Sequence, residues 1–250
     1  MKQNDLEKYR NTSGFIDMDK ALNENKVNII NEVRGSQNRD KFWIELDDNS
    51  SVLLRTENLD ECKEGFTSYA ELIMEELANQ VGIPAAHYDL IQYNGKKGVI
   101  SSNVVDKSIN ESMFTLTEIS GNDVKANEAN DIVTIFNNVK DFASFEDGLD
   151  QKDLSKMYLD IAKISIFDTF TMSNDRHGEN ISIIYSNDDD GKKHLKIAPI
   201  FDNECSLTLI TYLYFCSFTI FLIPKKDFTK DLMFWGSSDV IKAYNKLLLR

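Results

Sequence analysis

Residues 152–204 constrain the fold of this chain more than any other stretch. A long run with helical periodicity, Lys152 to Met172, is largely apolar on one side. It gives way to the polar octapeptide Ser173-Asn-Asp-Arg-His-Gly-Glu-Asn180. Two β-rich runs follow, Ile181 to Ser186 and His194 to Ile200, around the turn Asn187-Asp-Asp-Asp-Gly191. The second run leads into Pro199-Ile-Phe-Asp-Asn-Glu204. A hairpin here carries the chain back on itself and returns Asp202 toward the loop that holds Asp175 and Asn180. Two carboxylates and an amide would then meet. A plain surface turn, with Asp175 and Asn180 capping their own backbone, is the alternative.

Upstream, the sequence reads as a small sheet with one long helix. Lys41-Phe-Trp-Ile-Glu-Leu46 alternates as a strand does, Asp47-Asp-Asn-Ser50 is a turn, and Ser51-Val-Leu-Leu-Arg-Thr56 is a second strand. Between Thr67 and Val81, Leu72, Ile73, Leu77 and Val81 fall at helical spacing, and Gly82 sits where the helix would stop. Strands over His87–Tyr93 and Lys97–Ser102 are joined through Asn94-Gly95, a hairpin signal. A further helix is expected over Asn127 to Phe142. The fold class is therefore α+β. Residues 1–26 are a polar, loosely ordered lead-in, 27–106 a small β-rich lobe with one long helix, and 107–250 a mainly helical lobe, with a link near 103–108. That order is the outline of a bilobal protein kinase.

Charge and cysteine content narrow the function classes. The net charge is −13 over 250 residues, which repels phosphate backbones. The longest basic runs are Lys192-Lys193 and Lys225-Lys226, so no nucleic-acid partner is expected. Cys62, Cys205 and Cys216 form no Cys-x-x-Cys pair; they read as buried thiols of a reducing compartment rather than a zinc site. Met1 to Arg10 has no apolar signal core, and a cytoplasmic location is expected. Leu207 to Ile223 is seventeen residues without a charge, at the lower edge of a membrane-spanning length. A buried core element is the favoured reading, with membrane or partner contact as alternatives.

Phosphoryl transfer from ATP needs an Asp that accepts or orients the proton of the attacking hydroxyl. It also needs an Asn and a second Asp that hold magnesium against the phosphates. Asp175-Arg-His-Gly-Glu-Asn180 with Ile200-Phe-Asp-Asn-Glu204 resembles the catalytic and metal motifs of HipA-like kinases; phosphatidylinositol-type lipid kinases have a similar Asp-Arg-His-x-x-Asn. The resemblance extends upstream. Gly35-Ser-Gln-Asn-Arg-Asp-Lys-Phe-Trp43 is similar to the phosphate-side loop and strand of short members of the HipA-like group. Tyr69 to Ala78, followed by Val81-Gly-Ile-Pro84, is similar to their first-lobe helix and its exit.

The resemblance implies an ATP- and Mg2+-dependent serine/threonine-type protein kinase, with Asp175 as catalytic base and Asn180 and Asp202 as magnesium ligands. His177 would orient the loop or touch a phosphate. Nucleotide contacts would come from Gly35, Ser36, Lys41, Arg55, Glu71, Ser101 and Ser102, with Glu71 pairing to a strand cation. The sequence departs from the pattern at Arg55, where the family carries Lys; Arg55 is not equivalent to a compact ammonium at a phosphate site, and Lys41 on the neighbouring strand could substitute. The partners implied are ATP, an unidentified protein substrate and an antitoxin-like protein. A pseudokinase, or a kinase of a small-molecule or lipid acceptor, is the alternative.

Overall fold

In the computed structural model the described residues are 3–32, 39–57, 66–106, 109–119, 132–144, 149, 151–173, 175–188 and 190–207. The chain divides into a unit of residues 1–206 and a second of 207–250. Gly35, Ser36, Cys62, Cys216, the start of the helix expected from Asn127 and the apolar run beyond Leu207 lie outside the described residues.

Among the described residues, six strands form one sheet in the order β1-β5-β6-β4-β3-β2: β1 (Ile16–Asp17), β2 (Val27–Glu32), β3 (Lys41–Leu46), β4 (Ser51–Thr56), β5 (Tyr88–Tyr93) and β6 (Lys96–Ser102). β1 runs parallel to β5, and the other pairs are antiparallel. The alternation read from the sequence sets the faces. Phe42, Ile44 and Leu46 of β3, Val52 and Leu54 of β4 and Ile100 of β6 belong to one buried cluster. Arg55, one residue out of phase with Leu54, turns to the opposite face. Its register partners are Lys41 and Val99, and Val99 pairs with Leu90. Val99 and Leu90 pack with Leu72 of helix α2 (Phe66–Gln80). The helix-facing side of the sheet is thus apolar over β5 and β6 and cationic at the end of β3 and β4 where Lys41 and Arg55 pair, with Trp43 and Leu53 next along the same face.

The polar N-terminus is part of this core, which corrects the expectation of a loosely ordered lead-in. Residues Gln3–Tyr9 form a 3-10 turn, Ile16–Asp17 is β1, and Met18–Asn23 is helix α1. Leu6, Ile16, Met18 and Ala21 are fully buried and close the Phe42–Leu54 face. Each large apolar side chain so buried is worth about 1.5–3 kcal/mol, and a few of them outweigh a polar average composition.

The second sheet among the described residues has the order β7 (Ser112–Thr115), β8 (Ser182–Asn187), β9 (Lys193–Ile197). Helices α3 (Leu116–Ile119), α4 (Ile132–Ser144) and α5 (Gln151–Thr171) accompany it. Met157, Ile161 and Ile164 of α5 are buried along one face. The hairpin expected over 181–200 is β8–β9. Beyond β9, Ile200 is tied to the exit of α2. The Ile200 amide donates to the Pro84 carbonyl at 2.9 Å, and the Ala86 amide donates to the Ile200 carbonyl at 2.9 Å. This stitch brings the residues after Ile200 onto the cationic face of the first sheet.

Candidate active site

Two glycines shape the frame. At the end of α2, Gly82 takes φ +73, and the Ile83 amide donates back to the Ala78 carbonyl at 2.9 Å, a closure that favours glycine. Gly98 lies opposite Thr56 in the β4–β6 pair. A Cβ there would come within 2.2 Å of the Arg55 carbonyl oxygen, so the backbone carrying Arg55 needs a glycine beside it.

Arg55 is the centre of the site. One guanidinium nitrogen pairs with Glu71 Oε1 of α2, and the other with Asp202 Oδ1; Glu204 Oε2 lies 3.5 Å from that second nitrogen. Glu71 is fully buried. Its other oxygen accepts from the Asn203 amide at 2.8 Å and from Asn203 Nδ2 at 3.3 Å. Burial pushes the Glu71 carboxyl up, against the pull of Arg55. Burial also pulls on the Arg55 guanidinium, but the fields of Glu71, Asp202 and Glu204 outweigh it and hold its pKa well above the usual value. Asp202 is held below the carboxylate range, because the loss of solvent is more than offset by Arg55, Lys41 and Arg39. Asp202 sits in the left-handed region at φ 55, which Asp tolerates better than most residues. The Tyr88 hydroxyl accepts its amide at 3.1 Å.

Lys41 faces Arg55 across the β3–β4 pair and makes no ion pair among the described residues. Ser102 is placed elsewhere: its hydroxyl accepts the His87 amide at 3.1 Å. Ser101, in register with Leu53 and Tyr88, is half-buried on β6.

The loop that carries Asp175 begins where α5 ends. Met172 is left-handed at φ 53, and the Ser173 amide donates to the Asp168 carbonyl at 2.9 Å, closing the helix in a Schellman-type turn. Asn180 Nδ2 donates to the Asp175 carbonyl at 2.8 Å, which leaves the amide oxygen of Asn180 as the end able to meet a cation. His177 Nδ1 accepts the Glu179 amide at 3.2 Å, and Nε2 lies 3.6 Å from Asp175 Oδ1. The ring is held within its own loop. Asp175 keeps a side chain 43% exposed.

Arg176 joins this loop to the Arg55 cluster, a role that sequence reasoning missed. Its guanidinium is buried and donates to both Asp168 oxygens at 3.1 Å, to the Phe201 carbonyl at 2.8 Å and to Asn203 Oδ1 at 2.5 Å. It also reaches the Asn180 carbonyl at 3.4 Å. Burial raises the Asp168 carboxyl even beside Arg176. One arginine therefore fixes the backbone of Asn180 and of the residue before Asp202. The available signal was Asp168 itself, a carboxylate inside the apolar run Ile164–Phe170 that would be costly without a cation. Arg39, Tyr88, Asn203 and Glu204 are further members that sequence reasoning did not assign. Cys205, expected to be a buried thiol, is half-buried. Among the described residues no group of three or more His, Cys, Asp or Glu is placed to hold a metal, and no helix is long and apolar enough to cross a membrane.

No family model matches the sequence, and no curated protein matches it. Solved structures do. The chain is similar to the crystal structure of a Helicobacter pylori proinflammatory kinase, CtkA, with a TM-score of 0.54 and 16% identity over 73% of this chain and 59% of that one. It is also similar to HipA in a complex of the Shewanella oneidensis MR-1 toxin–antitoxin system with HipB and operator DNA, with a TM-score of 0.44 and 12% identity over 68% of this chain and 43% of that one. The chain thus spans about three fifths of the length of the first protein and less than half of the second. The first likeness shows a kinase fold of the kind that the sequence motifs resemble.

Proposed function

We propose that the chain is an ATP- and magnesium-dependent kinase, bilobal in outline, that transfers the γ-phosphate to a Ser or Thr hydroxyl of a protein. The observation that carries this reading is the grip on Arg55: a buried helix carboxylate, Glu71, on one side and the strand-end Asp202 on the other. A strand cation, a helix glutamate and a metal-side aspartate are the parts that phosphoryl transfer requires in register. The donor set fits magnesium. Asp202 and the Asn180 amide oxygen are hard oxygen donors, and a cation that keeps several waters and phosphate oxygens takes only one or two protein ligands. Bound there, magnesium would draw charge off the phosphate oxygens.

The remaining groups then have distinct tasks. Asp175, exposed on a loop braced by Arg176, accepts the acceptor hydroxyl's proton as its oxygen attacks. His177 positions that loop. Arg55, with both arms engaged, tethers α2 and Asp202 to the sheet. Lys41, unpaired among the described residues and directly across from Arg55, supplies the phosphate-binding ammonium that the family places one strand over. A nucleotide-binding protein without transfer is the second reading, favoured by the commitment of Arg55 to Asp202 itself.

Transfer decides between them. Full-length chain incubated with γ-labelled ATP and magnesium is expected to label itself or a lysate protein. Asp175→Asn lowers that labelling by about 100-fold to 10,000-fold, the usual worth of a general base, with an unchanged melting temperature. Equal labelling by the variant removes Asp175 from catalysis. Nucleotide binding without any labelling selects the second reading.

A further inference from the structure

Two cations of the first sheet, Lys41 and Arg55, and Arg39, which lies just ahead of β3, stand around three carboxylates, Glu71, Asp202 and Glu204. Their demands are unequal. Glu71 and Asp202 already satisfy the two arms of Arg55. Glu204 is left with the 3.5 Å approach to Arg55 and with Arg39, whose Nη1 donates to Oε1 at 3.0 Å. Arg39 has capacity to spare: its Nε is buried and has no hydrogen-bond partner among the described residues. Its backbone is fixed next door, where Asp40 and Thr56 bond to each other through the Asp40 amide and carbonyl at 2.9 Å each.

Glu204 thus spans two guanidiniums with its two oxygens, the arrangement by which a phosphate engages an arginine pair. A carboxylate and a phosphate cannot occupy the same forks together. We propose that Arg39 is a ligand of the nucleotide's phosphates and that Glu204 is an internal competitor, which a phosphate must displace from Arg39 and Arg55. The inference rests on the kinase reading above and goes beyond it. It adds a phosphate-binding residue ahead of β3 and sets nucleotide affinity by the ease of releasing one side chain.

The test is a double-substitution cycle read by calorimetric titration of full-length protein with ATP and magnesium. Arg39→Gln is expected to weaken binding by about tenfold or more, the worth of a charge-assisted hydrogen bond. Arg39→Lys, which keeps the charge and loses the fork, falls between. Glu204→Gln tightens binding by about threefold to tenfold, and the gain disappears in the Arg39→Gln background because the two residues are coupled. Asp40→Asn removes a neighbouring charge that pairs with Lys96 instead and controls for general electrostatics. A Glu204→Gln gain no larger than that of Asp40→Asn, or one that survives undiminished in Arg39→Gln, overturns the inference and leaves the kinase reading intact. Absence of binding in both wild type and Glu204→Gln overturns the kinase reading, and the inference falls with it.

Discussion

At the scale of single residues, several charges of the molecule face more than one partner. Arg55 is shared by Glu71, Asp202 and Glu204, so its replacement by lysine would keep one ion pair and lose the rest. A second group at the edge of α2 has a different logic. His87 lies 3.6 Å from Asp89 Oδ2 through Nε2 and 2.7 Å from Glu75 Oε1 through Nδ1. Asp89 and Glu75 together push the His87 imidazole up from 6.5 to about 10. A raised folded pKa means that the charged form stabilises the fold. That contribution is fully present below pH 6.5 and is lost as the pH rises through about 10. His87→Gln should therefore melt well below wild type at pH 6, and the gap should narrow steadily toward pH 10. A gap that stays constant across that range would show that the ring acts by packing and not by charge.

At the scale of elements, the site depends on joints between segments distant in sequence. Glu71 reaches Asn203, Arg176 reaches Asp168 and Asn203, and Ile200 bonds the exit of α2. Arg176 lies at the crossing of α5, the Asp175 loop and the 201–203 segment. Arg176→Met is expected to cost about 3–5 kcal/mol, since it strands Asp168 as a buried, unpaired carboxylate, and chemical denaturation would measure it. A loss below about 1 kcal/mol, the scale of an exposed pair, would mean that solvent reaches Asp168. The elements that sequence made legible are those with a clear period or a strong turn. β3 and β4 alternate around Asp47–Ser50, Asn94-Gly95 closes β5–β6, and Gly82 ends α2. The N-terminal elements were hidden because they are short: β1 spans 2 residues and α1 spans 6, too few for Phe15, Ile16, Met18, Ala21 and Leu22 to show a period. Within the site, Asp175, Asn180 and Asp202 stood out by motif, and Lys41 and Arg55 by strand position. Arg176 and Arg39 did not, because a buried arginine is recognised only once its carboxylate partner is brought to it.

At the scale of the whole molecule, the two sheets are separate in sequence, and the segment after β9 is bonded to the first sheet and to α2 at Ile200, Asp202 and Asn203. Residues 16–102 supply the cationic face, and residues 112–197 supply the Asp175 loop and the hairpin that returns Asp202 to it. On the proposed reading nucleotide and cation would depend on each other, because Asp202 and Asn180 lie on the second set of elements and Arg39, Lys41 and Arg55 on the first. The most direct test is calorimetric titration of the full-length chain with ATP, with and without magnesium. Saturable one-site binding that requires magnesium and is lost in Asp202→Ala is the predicted result. Binding that is indifferent to magnesium and to Asp202, or no binding under either condition, would contradict the account.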